Sequence, residues 1–161
     1  MKNLILIRHA KSSWDTPVKD VDRRLDQRGL KDAHLVSSKI HSFLPKTFVI
    51  SSSTAKRASA TAIIFAQNIN FPVESIIFSD LLYTFDVKQL EKFIKSFDKT
   101  TESLILFGHN AAITDFVNKF GDVLISNVPT AGFVSISFDT DCWTKIDKGK
   151  TNKIVTPKDL K

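Results

Sequence analysis

The sequence predicts an α/β fold whose central strands end in reactive groups, and two observations carry that prediction. Short apolar runs, Leu4-Ile5-Leu6-Ile7, Phe48-Val49-Ile50 and Leu104-Ile105-Leu106-Phe107, alternate with longer segments of helical periodicity. This is the pattern of strands covered on both faces by crossover helices. Each run also stops abruptly, at Arg8-His9-Ala10-Lys11-Ser12, at Ser51-Ser52-Ser53 and at Gly108-His109-Asn110. In open α/β sheets ligands sit beyond the carboxyl ends of the strands, so parallel strands would gather these groups at one edge.

The first run reads as a buried strand ending in a loop, with Arg8 and His9 in the crevice. Arginine offers a fixed fork of donors suited to a phosphate or carboxylate, and histidine can carry a proton or attack an electrophile. A long polar loop follows, from Ser13-Trp14-Asp15 through Asp20-Val21-Asp22-Arg23-Arg24. Long loops beside a central strand tend to be functional, which makes Arg23 and Arg24 candidates for further anion contacts.

Asp26 is placed to cap a helix carrying Leu30, Ala33, Val36, Ile40 and Phe43, which Pro45 would stop. His34 and His41 lie on that helix without a partner at metal-ligand spacing and read as surface or boundary residues. After the run at Phe48, a helix extending to about Asn68 carries Ala55, Ala58, Ala62 and Ala66, small residues that permit close contact with the sheet. Arg57 falls in its first turns, where unpaired N–H groups and the helix dipole already favour anions. Ile76-Ile77-Phe78 reads as a strand, and Val87, Leu90, Phe93, Ile94 and Phe97 form a core-facing helical stripe.

Beyond His109, Ala111 to Phe120 reads as a helix with Gly121 as its stop, and Asn127 to Gly132 as a turn-rich loop. Phe133 to Phe138 alternates with period two, and Asp139-Thr140-Asp141 is expected to turn it into a second strand over Cys142 to Ile146. The lysine-rich segment after Gly149 reads as a solvated or disordered tail.

The length of 161 residues fits a single domain over residues 1–161, with the lysine-rich tail from about 149. The net charge of +6 makes an acidic or phosphorylated partner reasonable, yet many of the lysines lie in the tail and no nucleic-acid-binding motif is present, so no nucleic-acid partner is expected. The apolar stretch Leu4 to Ile7 is too short for a signal core or a membrane span, and the lone Cys142 fits a reducing compartment, so a cytoplasmic protein is expected. The oligomeric state has no sequence signal.

Four motifs in order, Arg8-His9-Ala10-Lys11-Ser12-Ser13-Trp14, Asp22-Arg23-Arg24-Leu25 leading to Arg28-Gly29, Ser51-Ser52-Ser53 with Arg57-Ala58, and Gly108-His109-Asn110, resemble the histidine phosphatase, or phosphoglycerate mutase-like, superfamily. Within it they look like the small SixA-like branch of phosphohistidine phosphatases. The likeness runs from Leu4 to about Gly132. It implies a three-layer α/β/α sandwich with a mainly parallel central sheet. It further implies a catalytic set of His9, Arg8, Arg57 and His109, in which His9 attacks phosphorus to form a phosphohistidine intermediate. Arg8, Arg23, Arg57 and His109 would bind the phosphoryl group, and neither metal nor cofactor would be required. The expected partner is a phosphorylated protein such as a histidine phosphotransfer domain, or a small phosphorylated substrate.

On chemical grounds His9 must be neutral at one nitrogen to attack, whereas His109 is more useful protonated. The sequence departs from the family at Ala10, where glycine is usual, and in the Leu81–Asp86 region, where no carboxylate stands in register with the usual proton donor. Asp86 is a possible proton donor but equally a helix cap. A weak or missing acid favours phosphorus–nitrogen bonds and aryl phosphates over sugar phosphates. Three other readings remain open: a small-metabolite phosphomonoesterase using Asp86 or Asp15, a non-catalytic phosphate-binding module, and a metal-dependent hydrolase using His9, His109 and Asp15.

Overall fold

The computed structural model describes residues 1–15 and 17–161. Among the described residues six strands form one sheet: β1 (Lys2–Arg8), β2 (Val49–Ser53), β3 (Ile77–Ser79), β4 (Ser103–Gly108), β5 (Phe133–Phe138) and β6 (Lys150–Val155). Their spatial order is β3-β2-β4-β1-β5-β6. The strands β3, β2, β4 and β1 run parallel, whereas β5 and β6 are antiparallel to their neighbours. The faces are covered, among the described residues, by four α-helices: α1 (Gln27–Ser37), α2 (Lys56–Asn68), α3 (Val87–Lys95) and α4 (Ala112–Phe120). The expected α/β/α sandwich with a mainly parallel sheet is what the chain forms.

The apolar run of β1 explains the layers. Leu4 and Leu6 point to one side with Leu104, Leu106, Val134 and Ile136, where residues of α3 and α4 pack on them. Ile5 and Ile7 point to the other with Ile50, Ile105, Phe107 and Phe133, beneath α1 and α2. A strand covered on both faces needs apolar side chains at every position, which is why its sequence shows no alternation. Each such side chain taken fully out of water contributes about 1.5–3 kcal/mol.

Three expectations are corrected here. Helix α1 begins at the Asp26 cap, whose carboxylate accepts the Gly29 N–H at 2.7 Å, but ends at Ser37 rather than reaching Phe43. The Ser37 and Ser38 hydroxyls donate to the carbonyls of Ala33 and Leu35, a local bonding that competes with helix continuation. Ile40 and Phe43 reach the core from the following turn instead.

The segment Cys142 to Ile146 is not a strand. It forms a short 3-10 turn that buries Trp143, whose indole N–H donates to the Thr101 carbonyl at 2.7 Å. An indole needs both a deep apolar site and an acceptor, and a hairpin strand at this place would offer neither.

Nor is the segment after Gly149 a disordered tail. Lys150–Val155 is β6, paired to β5 with Val134 opposite Ile154. Thr156 and Asp159 then cap a last 3-10 turn reciprocally, and Lys161 reaches the buried Asp32 of α1 at 3.1 Å. Lysines at the solvent-facing positions of an outermost strand dilute its apolar pattern without preventing pairing.

Candidate active site

The parallel register of β1 and β4 sets Arg8 opposite Gly108, so the residues that follow, His9 and His109, leave the sheet side by side. Their ring centroids are 5.3 Å apart. The His9 N–H donates to the Gly108 carbonyl at 3.0 Å, and the Ala131 N–H reaches both the Arg8 and His9 carbonyls. On the other side, the Ala10 N–H donates to the Thr61 hydroxyl, which itself donates to the Arg57 carbonyl. One threonine thereby ties the loop after β1 to the first turn of α2.

These elements enclose a cavity of about 300 Å³, lined among others by Arg8, His9, Lys11, Arg23, Arg57 and His109. Every residue expected in the catalytic set is therefore at one place. Arg24 is exposed and lies outside it. Asp86 is also outside: its carboxylate accepts the Lys88 N–H at 2.9 Å and caps α3. Asp15 is exposed and does not line the cavity either. Among the described residues no group of three or more His, Cys, Asp or Glu side chains is arranged to hold a metal ion.

The carboxylate that does line the cavity is Asp20, together with the aromatic rings of Trp14 and Phe85. Sequence reasoning marked the Asp20 loop as functional but gave this residue no role. Asp20 accepts from the Tyr83 hydroxyl, Arg57 and Arg23, and these donors, Tyr83 foremost, hold its carboxyl at about 2, far below the usual carboxylate range. Trp14 lies over the Arg23 guanidinium at 3.2 Å, and Tyr83 and Phe85 set their edges against His109. Nothing in residue spacing could have shown these contacts, because they join a loop, a helix end and a turn that are remote in sequence.

His9 is 8% exposed and its Nδ1 donates to the Ala10 carbonyl at 2.7 Å, which leaves Nε2 with the free lone pair. Burial, reinforced by Arg57, Arg8 and Arg23, pushes its pKa down to about 4 against the opposing pull of that carbonyl. His109 stands 2.8 Å from the Ser53 hydroxyl through Nε2, while its buried Nδ1 has no partner among the described residues. Burial, then His9 and Arg57, push its pKa down to about 3. Burial and the neighbouring cations thus favour the neutral form of both histidines at pH 7. A phosphoryl dianion placed among them would act in the opposite sense.

A stability prediction follows from the same shifts. Above pH 6.5 the histidines are neutral in both folded and unfolded chains. Below it the unfolded chain takes up protons that the folded one refuses, so stability falls until about pH 4 for His9 and about pH 3 for His109. The urea midpoint is expected to drop steadily from pH 6.5 to 4, and less steeply in His109→Gln. Equal slopes would contradict the assignment.

Compared with known proteins, residues 4–82 match the family model of the histidine phosphatase superfamily (branch 1). That match and the fold make the chain similar to the histidine phosphatase superfamily. No curated protein sequence matches it. Among solved structures, the protein histidine phosphatase SixA complexed with tungstate superposes with a TM-score of 0.83 at 18% identity, covering 99% of each chain. The provisionally assigned phosphohistidine phosphatase SixA of Agrobacterium tumefaciens gives 0.79 at 22% identity, over 97% of this chain and 98% of that one. A mycobacterial glucosyl-3-phosphoglycerate phosphatase gives 0.70 at 11% identity, over 95% and 98%. The histidine phosphatase fold is thus shared with proteins of differing substrates, and the choice among substrates has to come from the cavity.

Proposed function

We propose that the protein is a metal-independent phosphatase in which His9 is the nucleophile, acting on phosphohistidine in a partner protein. The observation that carries this reading is the state of His9: neutral at pH 7, fixed by its Nδ1 bond to Ala10, and surrounded by Arg8, Arg23 and Arg57. The Nε2 lone pair attacks phosphorus, a new N–P bond forms, and the bond to the leaving group breaks with its electron pair. Water then attacks the phosphohistidine, returning His9 and releasing phosphate. Guanidinium groups meet the charge on the equatorial oxygens, the largest contribution a protein makes to phosphoryl transfer. The histidine phosphotransfer class of partner fits a cavity rimmed by the exposed Trp14 and Phe85.

The leaving group follows from the carboxylates. Asp86 and Asp15 are outside the cavity, and Asp20 is ionised far below neutral pH. Among the described residues no strong acid lines the cavity to protonate an alkoxide, which disfavours ordinary sugar phosphates. An aryl oxide, or an imidazole already protonated at its other ring nitrogen so that it leaves neutral, needs far less help.

The test is phosphate release from a phosphohistidine-bearing phosphotransfer protein, an aryl phosphate and an alkyl phosphate, all with chelator present, followed by mapping of the acid-labile phosphoenzyme. Rapid release from the first two, slow release from the third and label on His9 are expected. Faster turnover of a small alkyl phosphate than of the phosphohistidine protein would overturn the substrate class. Loss of all turnover on chelation would overturn metal independence.

A further inference from the structure

We infer that Asp20 is a built-in competitor for the phosphoryl group, a carboxylate that holds the Arg23 and Arg57 donors and surrenders them when a phosphorylated ligand enters. The inference rests on the cavity being a phosphoryl site and concerns how that site is gated. Arg57 spends its two terminal nitrogens on Asp20, Nη1 on the carbonyl at 2.7 Å and Nη2 on Oδ2 at 2.9 Å. Arg23 gives Nη1 to Oδ1 at 3.2 Å, and its other nitrogens go to the Ser13 carbonyl and the Ser12 hydroxyl. The Tyr83 hydroxyl adds a further bond to Oδ2. Each carboxylate oxygen takes one guanidinium nitrogen, Oδ2 from Arg57 and Oδ1 from Arg23, and these are donors that two phosphoryl oxygens would accept from instead.

The competition is asymmetric in mobility. Arg57 is 3% exposed on a helix, and Arg23 is buried beneath Trp14. The Asp20 side chain is 43% exposed and sits on a three-residue turn, Asp20–Asp22, in the segment joining β1 to α1. An exposed carboxylate gives up little by moving fully into water, whereas a phosphoryl dianion and a carboxylate on the same guanidinium groups would repel each other. The partner that moves is therefore Asp20. Its return would help to expel product: inorganic phosphate has nothing but its charge to hold it, while a phosphorylated side chain can also touch Trp14 and Phe85. Asp20 is thus a residue that sets phosphoryl affinity, and Tyr83 positions it.

The test needs no turnover: orthophosphate is titrated calorimetrically into wild type, Asp20→Asn and Tyr83→Phe at fixed pH and ionic strength. Asp20→Asn is expected to bind about tenfold tighter, the equivalent of one charge-assisted hydrogen bond in a half-exposed setting, and Tyr83→Phe, which preserves every charge, about threefold tighter. Weaker binding by Asp20→Asn would mean that Asp20 positions the arginines for phosphate, and would overturn the inference. Tighter binding by Asp20→Asn with none by Tyr83→Phe would reduce the effect to charge repulsion and overturn it as well. Failure of all three proteins to bind orthophosphate would instead remove the phosphoryl site itself.

Discussion

Replacing His9, the proposed nucleophile, with alanine is expected to lower turnover of aryl phosphate and of the proposed phosphohistidine substrate by about a thousandfold or more, since a lost nucleophile is not replaced by better positioning of the remaining groups. The fold should survive. His9 borders an open cavity of about 300 Å³, so the space left by the ring joins existing solvent rather than opening a void in the core. The substitution also removes a cause of the depressed His109 pKa, which is expected to rise. Single-turnover assays with acid quench give the decisive reading, because the phosphoenzyme should vanish along with steady-state release. Free imidazole, small enough for the vacated space, is expected to restore part of the activity. A His9→Ala protein that keeps a tenth of wild-type turnover would sink the assignment.

Gly29→Ala is expected to destabilise the protein by about 2–3 kcal/mol and to reduce turnover by about a hundredfold, although Gly29 touches no reacting group. Helix propensity alone predicts the reverse, a gain of roughly 1 kcal/mol. Geometry decides against propensity: a Cβ at Gly29 would lie 2.0 Å from the Lys11 carbonyl oxygen and 2.9 Å from its carbon. Those are backbone atoms already engaged, since Lys11 accepts the Asp26 N–H and Ser13 donates to Arg24. Relief of the overlap therefore requires α1 and the loop after β1 to separate, carrying Lys11 and Ser12 away from the cavity. Urea denaturation and kcat measured on the same preparation test this. A variant as stable as wild type would show that the loop is not pinned there.

The groups carried at strand ends were legible because they adjoin apolar runs in the chain itself: Arg8 and His9 follow Ile7, and His109 follows Phe107-Gly108. Once the runs are read as parallel strands, convergence at one edge follows without side-chain detail. Asp20 was not legible in the same way. Its role depends on a loop folding back so that Arg23, Arg57 and Tyr83 meet one carboxylate, and no periodicity encodes that closure. The protonation of His109 was open for a related reason, since its use as a donor to a phosphate oxygen says nothing about burial, which favours the neutral ring. Strand β6 was missed because lysine and asparagine at its outward positions masked the pairing of Ile154 and Val155 with β5.

That last strand gives the basic composition a meaning beyond ligand attraction. The sheet has two open rims, β3 and β6, each presenting unpaired backbone groups on which another chain could assemble. The β3 rim is three residues long, too short to template much, though its Ile77 and Phe78 are exposed. The β6 rim is twice that length and carries exposed Lys150 and Lys153, whose like charges oppose the approach of a second copy. Part of the positive charge of this chain thus acts as protection against self-association, and neutralising those two lysines should make the protein precipitate sooner at high concentration without altering its catalysis.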